Sequence, residues 1–136
     1  MMYIDSWIWI EFFSDENCYK KAEEVIEALS DDPGIISTVV LMEVKYRIKR
    51  KFGRELADRV IHIVESIDNL TVLPVTSKVA KYSADLRDKY YKRNTRELSY
   101  ADAIHLATAL LARCDILYTG DPDFEDIDEI VTYVIS

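Results

Sequence analysis

The sequence has 136 residues, of which 49% are hydrophobic and 31% charged, as expected of one globular domain spanning residues 1–136. Its 17 basic and 25 acidic residues give a net charge of −8, which excludes a protein held to nucleic acid by bulk positive charge alone. The longest apolar stretch, Trp7 to Phe13, is too short to span a bilayer, and no secretion signal is recognisable. A cytoplasmic protein with no membrane partner is therefore predicted.

The first part of the chain predicts two strands separated by two helices. Met2–Asp5 is an apolar run of strand length, and the apolar segment Ser6–Phe13 follows it as a short helix. Apolar residues at helical spacing predict a second helix over Asn17–Ser30. A turn rich in Asp, Pro and Gly then leads into a second apolar strand at Ile35–Ser37.

The middle of the chain repeats this alternation. Helical spacing predicts one helix over Thr38–Lys51 and another over Arg54–Ile67, with Gly53 between them. A strand is predicted at Leu70–Val75 and a further helix at Ser77–Arg93.

The last part predicts one helix, two strands and an acidic loop. Ser99 is a helix-capping residue type, and the helix after it continues to about Arg113. The strand Asp115–Thr119 and the final strand Ile130–Ile135 flank the acidic loop Asp121–Glu129. Strands separated by helices predict an α/β fold with a parallel sheet and helices on its faces. Ligands of such sheets bind at the carboxyl ends of the strands.

Four acids stand where such a site would form. Asp5 and Asp121 follow predicted strands, whereas Glu43 and Asp102 lie in apolar helical segments. A carboxylate buried alone costs several kcal/mol or shifts its pKa strongly, so it needs an ion pair, hydrogen bonds or a metal ion. Three or four clustered acids suit Mg²⁺ or Mn²⁺, because these hard cations prefer carboxylate oxygens.

Each acid also has a simpler explanation when it is taken alone. An exposed ion pair with Arg47, four residues later, explains Glu43 equally well. Asp102 could be a buried acid with polar partners or an acid at a helix terminus. Asp123 competes with Asp121 for the fourth position, since both follow the same strand.

The sequence resembles the PIN-domain family, and in particular the VapC-type toxins of bacterial and archaeal toxin–antitoxin pairs. The segments that carry this resemblance each contain one of the acids, and they are Met2–Ser6, Ser37–Glu43, Leu98–Ala107 and Leu117–Phe124. They occur in the family's order and span nearly the whole chain.

This resemblance implies a three-layer α/β/α sandwich with a central, mainly parallel sheet. It also implies an Mg²⁺- or Mn²⁺-dependent endoribonuclease, often a homodimer, and in VapC members a cognate antitoxin whose tail fills the active site. Asp5, Glu43, Asp102 and Asp121 are then the expected catalytic, metal-binding residues, with Asp123 as the alternative at the fourth position. A metal-activated water would attack an RNA phosphodiester in line.

Several neighbours of these acids have two possible roles. Ser6 and Thr119 would hydrogen-bond the carboxylates or metal-bound waters. Alternatively, Thr119 is only a polar residue at a strand end, and either Ser6 or Asp5 caps the first helix. His105, on the helix of Asp102, is expected to be a core or supporting residue rather than a base, because its neighbours are apolar.

Two basic stretches could guide RNA to an acidic pocket, although solvated helix faces are the simpler explanation. The first contains Lys45, Arg47, Lys49, Arg50, Lys51 and Arg54. The second contains Arg87, Lys89, Lys92, Arg93 and Arg96, interleaved with Tyr90 and Tyr91, which could stack on bases or lie in the core.

The alternative function is a PIN-like module that binds RNA or serves an RNA-processing assembly with little catalysis of its own. The complete set of four acids argues against it. A phosphotransferase that uses an Asp-x-Asp pair is disfavoured, because Asp5 is followed by Ser6 and Trp7. The sequence contains no P-loop and no G-x-G-x-x-G segment, which excludes those nucleotide-binding sites.

Overall fold

The computed structural model describes residues 1–136 and contains five strands and six α-helices. The strands are β1 (Met2–Ile4), β2 (Gly34–Ser37), β3 (Leu70–Leu73), β4 (Ile116–Thr119) and β5 (Val131–Val134). The helices are α1 (Ser6–Phe13), α2 (Tyr19–Glu27), α3 (Thr38–Phe52), α4 (Arg54–Glu65), α5 (Ser77–Tyr90) and α6 (Tyr100–Leu111). None of these helices is long and apolar enough to cross a membrane.

All five strands are parallel, in the order β3-β2-β1-β4-β5. The first strand therefore lies at the centre, with Tyr3 opposite Ile35 on one side and Leu117 on the other. Every residue of β1 is buried, because neighbouring strands and both helical layers cover it. The edge strand β5 alternates exposed and partly buried residues instead.

Helices cover both faces of the sheet, which confirms the predicted three-layer α/β/α sandwich. The main helix contacts join α1 to α2 and α3, α3 to α4, and α5 to α6. Their apolar faces and the sheet form one core, in which Tyr3, Trp9 and Leu106 are fully buried. This core holds the carboxyl ends of the central strands in place.

The elements are those predicted, but several boundaries differ by two or three residues. The strand β3 ends at Leu73 rather than Val75, because Pro74 has no N–H with which to continue the ladder. The helix α5 ends at Tyr90 rather than Arg93, because Tyr91 has extended backbone angles (φ −72°, ψ 125°). The predicted acidic loop contains a 3-10 turn at Pro122–Phe124.

Candidate metal centre

One pocket at the carboxyl edge of the sheet contains all four predicted acids. Asp5 follows β1 directly, and Asp121 comes two residues after β4. Glu43 lies in the second turn of α3, and Asp102 in the first turn of α6. The pocket has a volume of about 320 Å³, and its walls are formed by Asp5, Ser6, Trp7, Ile10, Glu11, Glu43, Tyr46, Arg47, Asp102 and Asp121.

Asp5 is held by three donors from two strand ends. Its Oδ1 accepts a hydrogen bond from the backbone N–H of Ser6 at 2.7 Å and lies 3.3 Å from the Ser6 hydroxyl. Its Oδ2 accepts one from the Thr119 hydroxyl at 2.7 Å. Asp5, not Ser6, is the N-cap of α1. The carboxylate is almost fully buried, so both of its oxygens have fixed directions.

Glu43 is bound by the imidazole of a buried histidine. His105 Nε2 lies 2.5 Å from Glu43 Oε1 and 3.4 Å from Asp5 Oδ1. Ser6 Oγ also donates to Glu43 Oε1, at 3.0 Å. Burial raises the pKa of Glu43, but the hydrogen bond and charge of His105, the Ser6 hydrogen bond and the charge of Arg47 together hold that pKa below its usual value. Glu43 forms no salt bridge with Arg47, so the simpler explanation of Glu43 is wrong.

His105 is itself positioned by a tyrosine of the central strand. The Tyr3 hydroxyl lies 2.7 Å from His105 Nδ1 and accepts a hydrogen bond from the Ser37 backbone N–H at 3.1 Å. Burial lowers the pKa of His105, but the charge of Asp5 and the hydrogen bond to Glu43 outweigh burial and raise the pKa above its usual value. Burial and the charge of Asp5 raise the pKa of Tyr3 well above 10, so its hydroxyl keeps its proton. His105 therefore lies in the core and supports the acids, as expected.

Asp102 takes part in the cap of its own helix. Its carboxylate accepts a hydrogen bond from the Ser99 backbone N–H at 3.2 Å, and the Ser99 hydroxyl accepts one from the Asp102 N–H at 3.1 Å. This reciprocal pair is a capping box. Burial, followed by the charge of Asp5, raises the pKa of Asp102 to about 6. Binding of a proton or a cation would therefore stabilise this carboxylate.

Asp121 lines the pocket, while Asp123 lies beside it in the 3-10 turn. The Asp121 backbone N–H donates to Thr119 Oγ1 at 3.1 Å, and Asp121 Oδ1 accepts from the Asp123 N–H at 2.9 Å. Burial raises the pKa of Asp121, and the charges of Asp123 and Asp5 act in the same direction. Of the two candidates for the fourth position, Asp121 faces the pocket with the other three acids.

The potential ligands form two groups within this site. One group consists of Asp5, Glu43 and His105, and the other of Asp102, Asp121 and Asp123. Within each group, one ligand atom from every residue lies within 4.8 Å of the others. The pocket joins the two groups, so oxygen atoms approach it from both sides.

Sequence reasoning missed two residues that shape this site. The hydroxyl of a tyrosine in a fully buried strand needs a hydrogen-bond partner. This requirement could have indicated from the sequence that Tyr3 contacts another buried polar group, which is His105. Trp7 forms an apolar wall of the pocket, and its indole lies against Gly120. A Cβ on Gly120 would lie 2.1 Å from Trp7 Cε2, so only glycine fits there. No local pattern predicts that contact, because it joins α1 to the end of β4.

Comparison with known families shows to which family this chain belongs. The model of one family, the PIN domain, matches residues 2–130. The chain belongs to the PIN domain family. The predicted family is thereby confirmed, and the four acids of this PIN domain lie in one pocket. No curated protein matches the sequence significantly.

Solved structures with the same fold come from toxin–antitoxin systems. A toxin–antitoxin complex from Klebsiella pneumoniae is 28% identical to this PIN domain, with a TM-score of 0.73 over 99% of this chain and 100% of that chain. VapC20 from Mycobacterium tuberculosis, a toxin that cleaves the sarcin–ricin loop, is 20% identical to this chain. Its TM-score is 0.77, over 96% of this chain and 97% of that chain. VapBC2 from Rickettsia felis, bound to a DNA fragment from its promoter, is 18% identical, with a TM-score of 0.73 over 98% of both chains.

Proposed function

We propose that this PIN domain is a divalent-metal-dependent endoribonuclease and the toxin of a toxin–antitoxin pair. The observation that supports this most strongly is the convergence of Asp5, Glu43, Asp102 and Asp121 on one pocket. The fold is shared with VapC20, whose substrate is RNA, and with toxin–antitoxin complexes. The alternative, a binding module without catalysis, would not need four acids in one pocket.

The donor set fits Mg²⁺ or Mn²⁺. The four carboxylates provide hard oxygen ligands, which these cations prefer over nitrogen or sulfur. The raised pKa values of Asp102 and Asp121 reflect burial among like charges, which a cation would relieve. Asp5, Glu43, Asp102 and Asp121 would hold the ion, with Asp123 within reach. A bound divalent cation would lower the pKa of water and offset the charge that develops on a phosphate.

The neighbouring polar residues would keep the ligands in position. Thr119 and Ser6 direct the oxygens of Asp5, and His105 directs Glu43. Partners of this kind typically contribute 10- to 100-fold to metal affinity or activity. His105 is a positioning residue here, because its two ring nitrogens are already occupied by Glu43 and Tyr3.

RNA could enter from the side of α3. Arg47 is exposed at the rim of the acidic pocket, and it also lines a second cavity of about 560 Å³ with Arg50 and Lys51. Ile10, Glu11 and Arg47 belong to both cavities, so the two are continuous. Cations beside the acidic pocket would bind phosphates that flank the cleaved bond.

The proposed partners are an antitoxin and a second copy of this chain. Several proteins of the same fold were solved with their antitoxins. We expect a cognate antitoxin to copurify with the chain when the two are expressed together and to inhibit cleavage. Homodimerisation would appear as twice the 15.8 kDa chain mass in light scattering.

The decisive test is cleavage of a mixed RNA pool with Mg²⁺, with Mn²⁺ and with EDTA. Asp5→Asn and Asp102→Asn should each reduce the metal-dependent rate at least about 100-fold, since loss of a supporting partner alone costs 10- to 100-fold. Asp85→Asn is the matched control, because Asp85 is exposed on α5. Absence of cleavage with either metal, in protein free of antitoxin, would favour the binding module.

A further inference from the structure

Two exposed tyrosines enclose one arginine beside the N-terminus of α6. The Arg87 guanidinium carbon lies 4.4 Å from the centre of the Tyr91 ring and 4.3 Å from the centre of the Tyr100 ring. Arg87 Nε donates to the Leu98 carbonyl at 3.0 Å, which fixes the guanidinium in this position. These three side chains, Arg87, Tyr91 and Tyr100, form an ordered stack on the surface, termed here the tyrosine–arginine stack.

The stack is open to solvent. Tyr100 is 75% exposed and Tyr91 is 38% exposed, although aromatic side chains of this size are usually much more buried. Tyr90, next to Tyr91, is buried instead, and its hydroxyl donates a hydrogen bond to Glu129. The exposed ring of Tyr100 therefore offers a broad aromatic surface for a partner.

The charge of Arg87 is not neutralised within the chain. No carboxylate lies within 4 Å of its guanidinium, even though the chain carries 25 acids. Lys89, on the same helix, is by contrast paired with Asp128 and Glu129. A cation that has no acidic partner and is held between two rings is suited to an anionic, aromatic ligand.

The stack lies close to the acidic pocket. Tyr100 is the first residue of α6, and Asp102 is in the same helical turn. Residues two positions apart in a helix point in different directions. The stack therefore lies on another side of α6 from the pocket, not inside it. A nucleotide on the stack would therefore lie outside the acidic pocket, since none of the three stack residues lines it.

We propose that the tyrosine–arginine stack binds an unpaired base of the RNA substrate. The inference rests on the proposed ribonuclease function and adds to it a base-binding position outside the acidic pocket. Bases stack on aromatic rings and on guanidinium planes only when they are free of a continuous duplex. Arg87 adds attraction for the neighbouring phosphate.

The test measures binding without metal, so that it does not depend on cleavage. A single-stranded RNA carrying the fluorescent base 2-aminopurine is titrated with protein in EDTA, and a duplex of the same sequence is the comparison. Tyr100→Ala should weaken single-strand binding about 5- to 150-fold, as expected from about 1–3 kcal/mol per stacked base, and should abolish the fluorescence change. Tyr100→Phe should retain both.

The matched control is Tyr133→Ala. Tyr133 is 57% exposed on the edge strand β5, outside the stack, and its removal should leave RNA affinity unchanged. Equal affinity of Tyr100→Ala and wild type, or equal binding of duplex and single strand, would overturn the proposal.

Two further outcomes are distinguishable. If Tyr100→Ala dissociates a dimer in sedimentation while RNA binding stays intact, the stack is a protein interface and the proposal is wrong. If no RNA is cleaved but Tyr100→Ala specifically loses binding, the stack is supported and the ribonuclease function fails instead.

Discussion

At the scale of single residues, the acids of the pocket differ because their partners differ. Glu43 receives a hydrogen bond from His105, which favours its charged form. Asp102 receives one from a backbone N–H, and this does not compensate for burial near Asp5. Two carboxylates within one pocket thus have pKa values shifted in opposite directions, and only Asp102 titrates near neutral pH.

This shift predicts a pH dependence of stability in the metal-free protein. The pKa of Asp102 is about 6 in the folded chain, against 3.8 for an unperturbed aspartate side chain, so the folded state binds the proton more tightly. The stabilisation is complete below pH 3.8 and is lost as the pH rises through about 6. In EDTA, Asp102→Asn should be about 3 kcal/mol more stable than wild type above pH 7 and lose most of this advantage near pH 4.

Urea denaturation at a series of pH values measures this difference. The charge of Asp102 contributes less to the raised pKa of His105 than Asp5 and Glu43 do, so most of the His105 contribution cancels in the comparison with Asp102→Asn. A difference that does not change between pH 4 and pH 7 would mean that Asp102 is not perturbed by burial.

The four acids and their neighbours Ser6 and Thr119 could be predicted from the sequence, whereas the contact that holds Glu43 could not. Asp5 and Asp121 follow recognisable strands, and Asp102 interrupts an apolar helix, so each has a local signal. The contact between His105 and Glu43 joins residues 62 positions apart, and Arg47 at helical spacing offered Glu43 a simpler partner. Only the packing of α6 against α3 and β2 selects the histidine.

At the scale of secondary structure elements, the start of α6 has two roles. Ser99 caps the helix, and the same hydrogen bonds hold Asp102 in the pocket. Helix stability and ligand position are therefore coupled at this point. The helix α5 begins with a similar cap, in which the Thr76 hydroxyl accepts a hydrogen bond from the Val79 N–H, but no acid of the pocket takes part.

The two caps provide a matched pair of substitutions. Ser99→Ala and Thr76→Ala should each lower the free energy of unfolding by about 1 kcal/mol, because each removes one cap. Only Ser99→Ala should also weaken Mn²⁺ binding, by about 10-fold, because losing the Ser99 hydroxyl loosens the first helical turn, which carries Asp102. Thermal denaturation and isothermal titration calorimetry measure the two effects. Equal Mn²⁺ affinities in both variants would show that the cap does not position Asp102.

At the scale of the whole molecule, a cluster of acids is tolerated because the surrounding fold is well packed. The buried core extends beneath the pocket, and no buried side-chain polar atom lacks a hydrogen-bond partner. The fold itself could be predicted from the alternation of strands and helices. The element ends could not be placed to the residue, because they depend on local backbone angles such as those of Tyr91.

Metal binding should stabilise the whole chain. A ligand that binds only the folded state at 100 times its Kd adds about 2.7 kcal/mol. We expect Mn²⁺ to raise the melting temperature of wild type and of the control Asp85→Asn, and to leave Asp5→Asn nearly unchanged. Calorimetry with and without EDTA measures the shift. An equal shift in all three proteins would place the bound metal outside the pocket.

The central position of β1 determines when the acidic pocket can form during synthesis and folding. Asp5 is made well before the Thr119 hydroxyl that orients it, which belongs to a strand made 114 residues later. Contacts between such distant segments form late in folding, because a long loop must close first. Any activity that depends on Asp5 and Asp121 together can therefore begin only after β4 has docked beside β1. A growing chain that already contains Asp5 therefore has no complete acidic pocket until Asp121 has been added.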